Sequence, residues 1–437
     1  MAWIRRRFRN HTFWLDENSL EVTHGDDPPD EMPAPVFQHR KTPVPQRPSM
    51  LVFNLTHRCN LACDYCFVRN YYPDDLPIMP LGIAVRALRL LEPKRPFSIS
   101  FFGGEPLMAW PTLVHLTEAA LSMAAHSGVR PRFHVTTNGT LLDERKARWL
   151  DERGFSLIVS LDGPERLHNE ARPMRGGTGS FDEVMAGLEA VKGRPGLAQR
   201  TTLRGTFSAA RLDLVKRVEF LNRLCDDGFA ANVSVEPASL VTEGCAVLPD
   251  GHENALKRSD AKRLRREYDA LADWWLERER VGKKPRFFHF RKMLDRLEKK
   301  RPVCSDCGAG WGYVCVNPAG ELHACHREGN PIGDVWRGFD EEARAPWLDN
   351  RYYARDRCVR CWARNLCGGG CRKDSWDKFG DLSRTDSLAC FVRKTWLLEA
   401  VYLSGIREIR DAGTRESAGC TACKSAGKSG QGGRQTP

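Results

Sequence analysis

From Met50 to Pro237 the sequence alternates six times between short β-branched or aromatic runs and stretches with apolar residues at helical spacing. The runs MLVFNLT, FSISFF, RFHVTT, FSLIVS, TTLRGTFS and ANVSVEP read as strands. Between them, LGIAVRALRLLE, LVHLTEAALSMAA, DERKARWLDERG, SFDEVMAGLEAVKG and LDLVKRVEFLNRLC read as helices. Asp143 and Ser180 stand where helix N-caps belong, with Glu183 at capping-box spacing from Ser180 and Gly154 closing the helix before β-structure resumes. Strands and helices in strict alternation imply a parallel sheet with right-handed crossovers. Six such units predict an α/β fold that curls into a partial (β/α)6 barrel. In barrels of this kind the loops after the strands carry the chemistry. Here those loops hold Cys59, Cys63 and Cys66, then GGEP, then TTNGT, then SLDGP, so all four are expected at one mouth.

The flanks divide the remaining chain. Residues 1–48 form an extension: HTFWLDENSLEV suggests a short hairpin, and the Pro-rich stretch after it reads as an extended linker. The barrel core is set at 49–240 and a bridge of charged helices at 241–300. A cysteine-rich, loop-rich domain follows at 301–410, with a closing helix in FVRKTWLLEAVYL. From Asp411 to Pro437 the Gly/Ser-rich composition predicts a disordered tail.

The 67 basic against 56 acidic side chains leave a formal charge of +11, a mild excess compatible with a solvated basic surface or an acidic partner. The arginines of MAWIRRRFRN are not followed by the apolar segment of a secretory signal. No apolar run reaches the ~20 residues a membrane crossing needs, so a cytoplasmic location is expected, with no membrane and no nucleic-acid partner. In that reducing setting 16 cysteines point to metal sites or catalytic thiols rather than disulfides.

The motif Cys59-x3-Cys63-x2-Cys66 lies directly after the first strand. Three thiolates can hold three irons of a cubane and leave the fourth without a protein ligand. An open metal position is where a substrate or cofactor binds. Zinc or loose buried thiols are the competing readings, but no further His or Cys follows at finger spacing. The spacing, with Tyr65 as the aromatic before the last cysteine, resembles the radical S-adenosylmethionine (radical SAM) superfamily over about residues 50–240.

That resemblance implies a site-by-site reading. Gly103, Gly104 and Glu105 of FGGEP look like the family's GGE motif, whose glycines let backbone approach the methionine amino group while the glutamate fixes the loop or accepts from the ammonium. Asn138, Ser160 and Asp162 sit where relatives contact the methionine and ribose portions. Arg172 resembles the position that pairs with the methionine carboxylate. The implied cofactors are a [4Fe–4S] cluster and S-adenosyl-L-methionine. One electron splits the sulfonium, and the resulting 5′-deoxyadenosyl radical takes a hydrogen from substrate.

Downstream, Cys358-x2-Cys361-x5-Cys367-x3-Cys371 precedes Cys390, and Cys304, Cys307, Cys315 and Cys325 lie upstream with Gly320 five residues before Cys325. The pattern resembles a SPASM domain, which holds two auxiliary [4Fe–4S] clusters. By position, Cys358, Cys361, Cys367 and Cys390 would hold one cluster. Cys307, Cys325 and Cys371 would hold the other, with Cys304 as fourth ligand, Cys315 as its competitor, or an open iron. Two CxxC pairs also read as zinc ribbons. In CGGGC the glycines would let backbone approach a sulfur-rich site.

Sulfatase-maturating relatives place an acid directly after the cysteine that Cys325 matches; this chain has His326, similar to the PCH of peptide-crosslinking enzymes. Cys225 reads as core, Cys245 has no assigned role, and Cys420-x2-Cys423 reads as spare thiols, an electron relay or a metal pair. A winged-helix module for gripping an acidic leader peptide does not fit within residues 1–48. The expected function is hydrogen abstraction from a ribosomally made precursor peptide to install a thioether or carbon–carbon crosslink, with flavodoxin or ferredoxin as reductant. Formylglycine formation, epimerisation, a zinc-ribbon nucleic-acid binder and a non-catalytic iron–sulfur electron carrier are the alternatives.

Overall fold

The computed structural model describes residues 3–8, 11–16, 19–27, 47–66, 68, 77–238, 252–303, 305–349 and 355–425. The six predicted strands are present as β4 (Met50–Thr56), β5 (Ser98–Gly103), β6 (Arg132–Thr137), β7 (Ser156–Ser160), β8 (Thr201–Phe207) and β9 (Asn232–Pro237). They pair in chain order, all parallel. Each of the first four is followed by its predicted helix: Leu81–Ala87, Trp110–Ala124, Glu144–Glu152 and Phe181–Lys192. Helix Leu214–Asp226 joins β8 to β9.

Burial explains why these runs are strands. β8 alternates strictly, with Thr201, Leu203, Gly205 and Phe207 buried and the residues between them half-exposed. β4 is buried at every position after Met50, as a strand covered on both faces must be. Phe101, Phe133 and Phe155 stack in series under the sheet, with Phe155 at 6.0 Å from Phe101 and 5.2 Å from Phe133 between ring centroids. Aromatic pairs of this kind add about 0.5–1.5 kcal/mol each beyond their buried area.

Two features go beyond the sequence reading. The sheet has eight strands, because β10 (Tyr313–Val316) pairs in parallel with β4, and β11 (Leu322–His323) adds antiparallel to β10. The cysteine-rich region therefore completes the barrel sheet as well as following it. The N-terminal hairpin is a three-stranded sheet of β1 (Trp3–Phe8), β2 (His11–Asp16) and β3 (Val22–His24). It packs on helices Ala261–Arg280 and Ser387–Ser425: Phe13 meets Tyr402 edge-on at 5.7 Å, and Arg6 donates to Glu399 at 2.7 Å. The Cβ that Gly405 lacks would overlap the Phe13 ring.

Three readings need correction. Ser180 begins its helix but forms no capping box; its hydroxyl donates to the Arg172 carbonyl at 2.6 Å and meets His168 Nε2 at 3.0 Å. The predicted strand pair of the extension has a third strand, as above. The closing helix continues past Asp411 to Ser425, where the sequence predicts no regular structure: it is seeded by a well-packed amphipathic start with Val392, Trp396, Leu397, Ala400 and Leu403 buried. Residues 426–437, Cys304, Cys245 and the Pro-rich linker lie outside the described residues. Among the described residues no helix is long and apolar enough to cross a membrane.

Candidate active site

The loop after β4 folds back against the loop after helix Glu165–Ala171. Ala62 N–H donates to Pro173 O at 2.8 Å, Asp64 N–H to Ala171 O at 3.2 Å, and Arg175 N–H to Asn60 O at 3.0 Å. This brings Cys59, Cys63 and Cys66 into a small cluster with Leu61, Tyr65, Ala171 and Met174. All three cysteines line one cavity of ≈ 480 Å³ at the C-terminal ends of the strands, together with Tyr65, Gly103, Gly104, Asn138, Ser160 and Arg172. The four strand-end motifs do meet at one mouth.

Burial, then the nearby Glu105 carboxylate, pushes the Cys59 thiol up to about 11. Burial pushes Cys63 up to about 12, although the Arg172 guanidinium opposes it. Leu61 N–H at 3.4 Å and the Asn138 amide at 3.6 Å point at Cys59 Sγ, and Arg172 stands 3.9 Å from Cys63 Sγ. Thiols so placed surrender their protons to a metal rather than to water. The donor set, three soft sulfurs on one wall, fits three corners of a cubane and leaves the fourth open.

Other members of the sequence-derived set stand behind the cavity wall. Glu105 is fully buried and accepts from Thr137 Oγ1 and Asn138 N–H at 2.7 Å and from Leu107 N–H at 2.9 Å. Burial pushes it up to about 7 against those three donors. It holds the loops after β5 and β6 together through these three bonds. Asp162, also fully buried, accepts from Tyr65 Oη at 2.5 Å and Thr206 N–H at 2.8 Å and lies 3.0 Å from Arg172 Nε. Arg172, read as a partner for a ligand carboxylate, is paired through Nε with Asp162 and lies over the Tyr65 ring at 5.4 Å, with its outer nitrogen toward Cys63 and the cavity. Asn138 and Ser160 remain on the wall.

The GG pair has a second job. Gly104 N–H donates to Thr56 O at 2.7 Å and Glu105 N–H to Arg58 O at 2.8 Å. A Cβ on Gly104 would strike Arg58 O, and one on Gly103, whose φ is +124°, would strike Thr56 O. The glycines thus let the β5 loop lie directly on the backbone that carries Cys59. Gly104→Ala is expected to push that loop away, at about 1–3 kcal/mol of stability, and to lower iron retained after anaerobic reconstitution; an iron count on the purified chain checks it.

The same cavity reaches the cysteine-rich region, where Cys307, Cys325 and Cys371 line its far wall. Tyr313 Oη lies 3.6 Å from Cys325 Sγ and 4.0 Å from Cys307 Sγ. Burial alone would raise the Cys325 thiol; the adjacent His326 ring and Arg327 bring it down to about 6. Cys315 points elsewhere: it is fully buried on β10, its thiol toward Val316 O. A second cavity of ≈ 360 Å³ is lined by Cys358, Cys361, Cys367, Cys371 and Cys390, and Cys371 lines both cavities. Gly368, Gly369 and Gly370, between Cys367 and Cys371, have φ of 69°, 88° and 81°. Three successive left-handed residues require glycine, which is the physical content of that motif. Among the described residues no group of three or more His, Cys, Asp or Glu side chains could hold a single metal ion.

Spacing could not reveal the residues that join the two regions. Asn54 Nδ2 donates to Glu328 Oε1 at 2.6 Å and His326 O at 2.9 Å, and His57 Nε2 meets Glu328 Oε1 at 2.7 Å. Glu328 sits at φ +54°, a conformation costly for a side chain of its size. His326 packs edge-on against Phe102 at 4.5 Å. Further along the cavity stand Arg204 with Glu236, Asp306 with Lys292 and Arg393, and Arg327 with Asp374.

Comparison with known proteins agrees with this geometry. Residues 53–202, which run from β4 to the start of β8, match the radical SAM superfamily. The chain carries a radical SAM domain. Over 372 residues it is 25% identical to a serine-type anaerobic sulfatase-maturating enzyme of Klebsiella aerogenes, covering 77% of this chain and 82% of that one. The solved structure of native anSMEcpe with bound AdoMet shares the fold, with a TM-score of 0.66 at 20% identity over 83% of this chain and 99% of that one. Streptococcus suis SuiB bound to the precursor peptide SuiA superposes with a TM-score of 0.52 at 19% identity, over 79% and 76%. The radical SAM superfamily uses a [4Fe–4S] cluster and S-adenosylmethionine, and SPASM relatives carry auxiliary clusters. The fold is the expected α/β partial barrel with a cysteine-rich C-terminal region.

Proposed function

We propose that this radical SAM domain and its cysteine-rich partner act on a ribosomally synthesised peptide and install a thioether or carbon–carbon crosslink. One observation carries the reading: the Cys59, Cys63, Cys66 loop and the Cys307, Cys325, Cys371 wall open on the same cavity. Cys59, Cys63 and Cys66 would hold the first cluster. Cys358, Cys361, Cys367 and Cys390 would hold a second. Cys307, Cys325 and Cys371, with Cys304 or with an open iron, would hold a third. When bound, the first cluster and S-adenosylmethionine supply a 5′-deoxyadenosyl radical at the barrel mouth. Gly103 and Gly104 keep backbone rather than side chain at that mouth, Asn138 and Ser160 offer polar contacts from its wall, and Arg172 places a cation beside Cys63. The reductant would be flavodoxin or ferredoxin.

A sulfatase-maturase likeness favours formylglycine formation as the second reading. Against it, the residue after Cys325 is His326, and the cavity carboxylates Glu236, Asp306 and Asp374 are each tied to a cation. Coexpression with a short open reading frame adjacent to the gene, followed by mass spectrometry, separates the readings. A crosslinked peptide is lighter by a hydrogen pair and unreactive to hydrazide; an aldehyde reacts with hydrazide; an unchanged mass with an inverted centre marks epimerisation. Absence of 5′-deoxyadenosine from the reduced, reconstituted enzyme with S-adenosylmethionine overturns the whole reading.

A further inference from the structure

Beside the wall that the two cysteine cavities share, the single carboxylate of Asp306 serves three cations. Lys292 Nζ lies 2.6 Å and Arg296 Nη2 2.5 Å from Oδ1, and Arg393 Nη1 lies 3.0 Å from Oδ2. Lys292 and Arg296 stand one turn apart on helix Phe288–Glu298, and Arg393 comes from helix Ser387–Ser425. The four side chains are largely covered, from 9% exposed for Asp306 to 28% for Lys292. Among the described residues none of the three cations has a second acidic partner. Burial pushes the Asp306 carboxyl up, but Arg393, then Lys292 and Arg296, outweigh it and hold it below the usual carboxylate range. The node therefore keeps a net positive charge largely removed from water, and buried charge of that kind calls for a counter-charge.

The groups able to supply it are thiols of both cavities. Asp306 directly precedes Cys307, and its N–H donates to Gly368 O at 3.0 Å, one residue after Cys367. Arg296 donates to the Leu366 carbonyl, one residue before Cys367. Gly370, Cys371, Asp374 and Arg393 line both cavities. Among the described residues Arg393 is thus the one cation that the two cavities share; Arg327, which pairs with Asp374, lines the first cavity alone. The strongest charges acting on Arg393 are Cys367, Asp306 and Cys371. Cys367 belongs to the second cavity, and Cys371 to both.

Resting on the clusters proposed above, we infer that Arg393, held in place by Asp306, sets the reduction potential of both cysteine-rich sites at once: that of Cys358, Cys361, Cys367 and Cys390, and that of Cys307, Cys325 and Cys371. A cluster's potential follows its net charge, the hydrogen bonds to its sulfurs and its exposure. Uptake of one electron makes either cluster more negative, with no bond made or broken and no proton required. A fixed cation on the shared wall stabilises that added charge on both sides, and more strongly where water is scarce. Lys292 and Arg296 offset the Asp306 carboxylate, so the anchor that orients Arg393 does not cancel its charge. The two sites are thereby poised together to take up an electron.

Potentiometry on the full chain tests this. In a C59A/C63A/C66A background, anaerobic reconstitution loads the two remaining sites, and a mediated titration followed by electron paramagnetic resonance gives both midpoints. R393M and R393Q are expected to lower both, each by about tenfold in the reduction equilibrium, ~59 mV for one electron. R393K, which keeps the charge, is expected to stay close to the parent. Loosened packing would admit water and favour the more highly charged reduced cluster, so a merely structural effect moves the midpoints the other way. The inference is overturned if neither neutral variant lowers the midpoints, if only one of the two moves, or if R393K falls as far as R393M. Neutral variants that bind no iron overturn it too, since holding the clusters falls to the cysteines. A parent chain that takes up zinc or no iron condemns the cluster reading itself, whereas iron-loaded chains with unmoved midpoints condemn only the role of Arg393.

Discussion

Cys59→Ala, Cys63→Ala and Cys66→Ala are each expected to lose about a third of the bound iron and all measurable 5′-deoxyadenosine. The reason lies in the wall that carries them. Among the described residues no further thiol lines this end of the cavity, and the nearest nitrogen donors, Asn138 and Arg172, are an amide and a guanidinium that cannot replace a thiolate. Two sulfurs would remain for a cluster that needs three. Cys358→Ala should also lose about a third of the iron while still forming 5′-deoxyadenosine, because Cys358 does not line the cavity that holds the triplet. Cys225→Ala, on the buried face of helix Leu214–Asp226, should keep its iron. Iron counts with chromatography of the adenosyl product decide this; a full complement of iron in the three triplet variants would remove the basis for an open cubane.

The second large effect is on folding. Asp162→Asn is expected to destabilise the chain by about 3–5 kcal/mol, the range for removing one partner of a buried ion pair, read as a lower urea midpoint with little change in slope. Burial pushes the Asp162 carboxyl up, but Arg172 and then Arg217 outweigh it and hold it below the usual carboxylate range. A carboxyl depressed in the folded state stabilises above its unfolded value of about 3.9 and loses that contribution as pH falls through the folded one. The gap between wild type and D162N should therefore be full at neutral pH and narrow only under acid, below about pH 4. A gap independent of pH would show that shape, and not charge, is what Asp162 provides. Loss of the pair also frees Arg172 to turn toward the thiols, so D162N should bind S-adenosylmethionine differently as well as fold less stably.

Much of this was legible before any coordinates. The six strands of the barrel start and stop within a residue or two of their sequence-based limits, because their runs are rich in β-branched and aromatic residues and Gly- or Asn-containing turns follow them. The cysteine triplet and the strand-end motifs converge because topology alone puts every such loop on one face. Ser180 shows the limit of local pattern: its capping-box spacing is present, but a tertiary acceptor, the Arg172 carbonyl, claims the hydroxyl. Glu105 and Asp162 are found by motif, yet which way their oxygens face depends on neighbours from other loops, so a contact with ligand and a brace behind it look alike in sequence. The Asn54–His57–Glu328 link has no sequence signal at all, because it acquires meaning only when residues far apart in the chain come together.

The pairing of β10 with β4 bears on how the protein is made. The barrel's first strand cannot gain its outer neighbour until the cysteine-rich region has left the ribosome, so on a nascent chain β4, and the triplet loop it leads into, present an unzipped edge. Completion of the sheet thereby waits for the cysteine-rich region, and a truncation that removes β10 while sparing the six strands before it would leave the barrel open along one side.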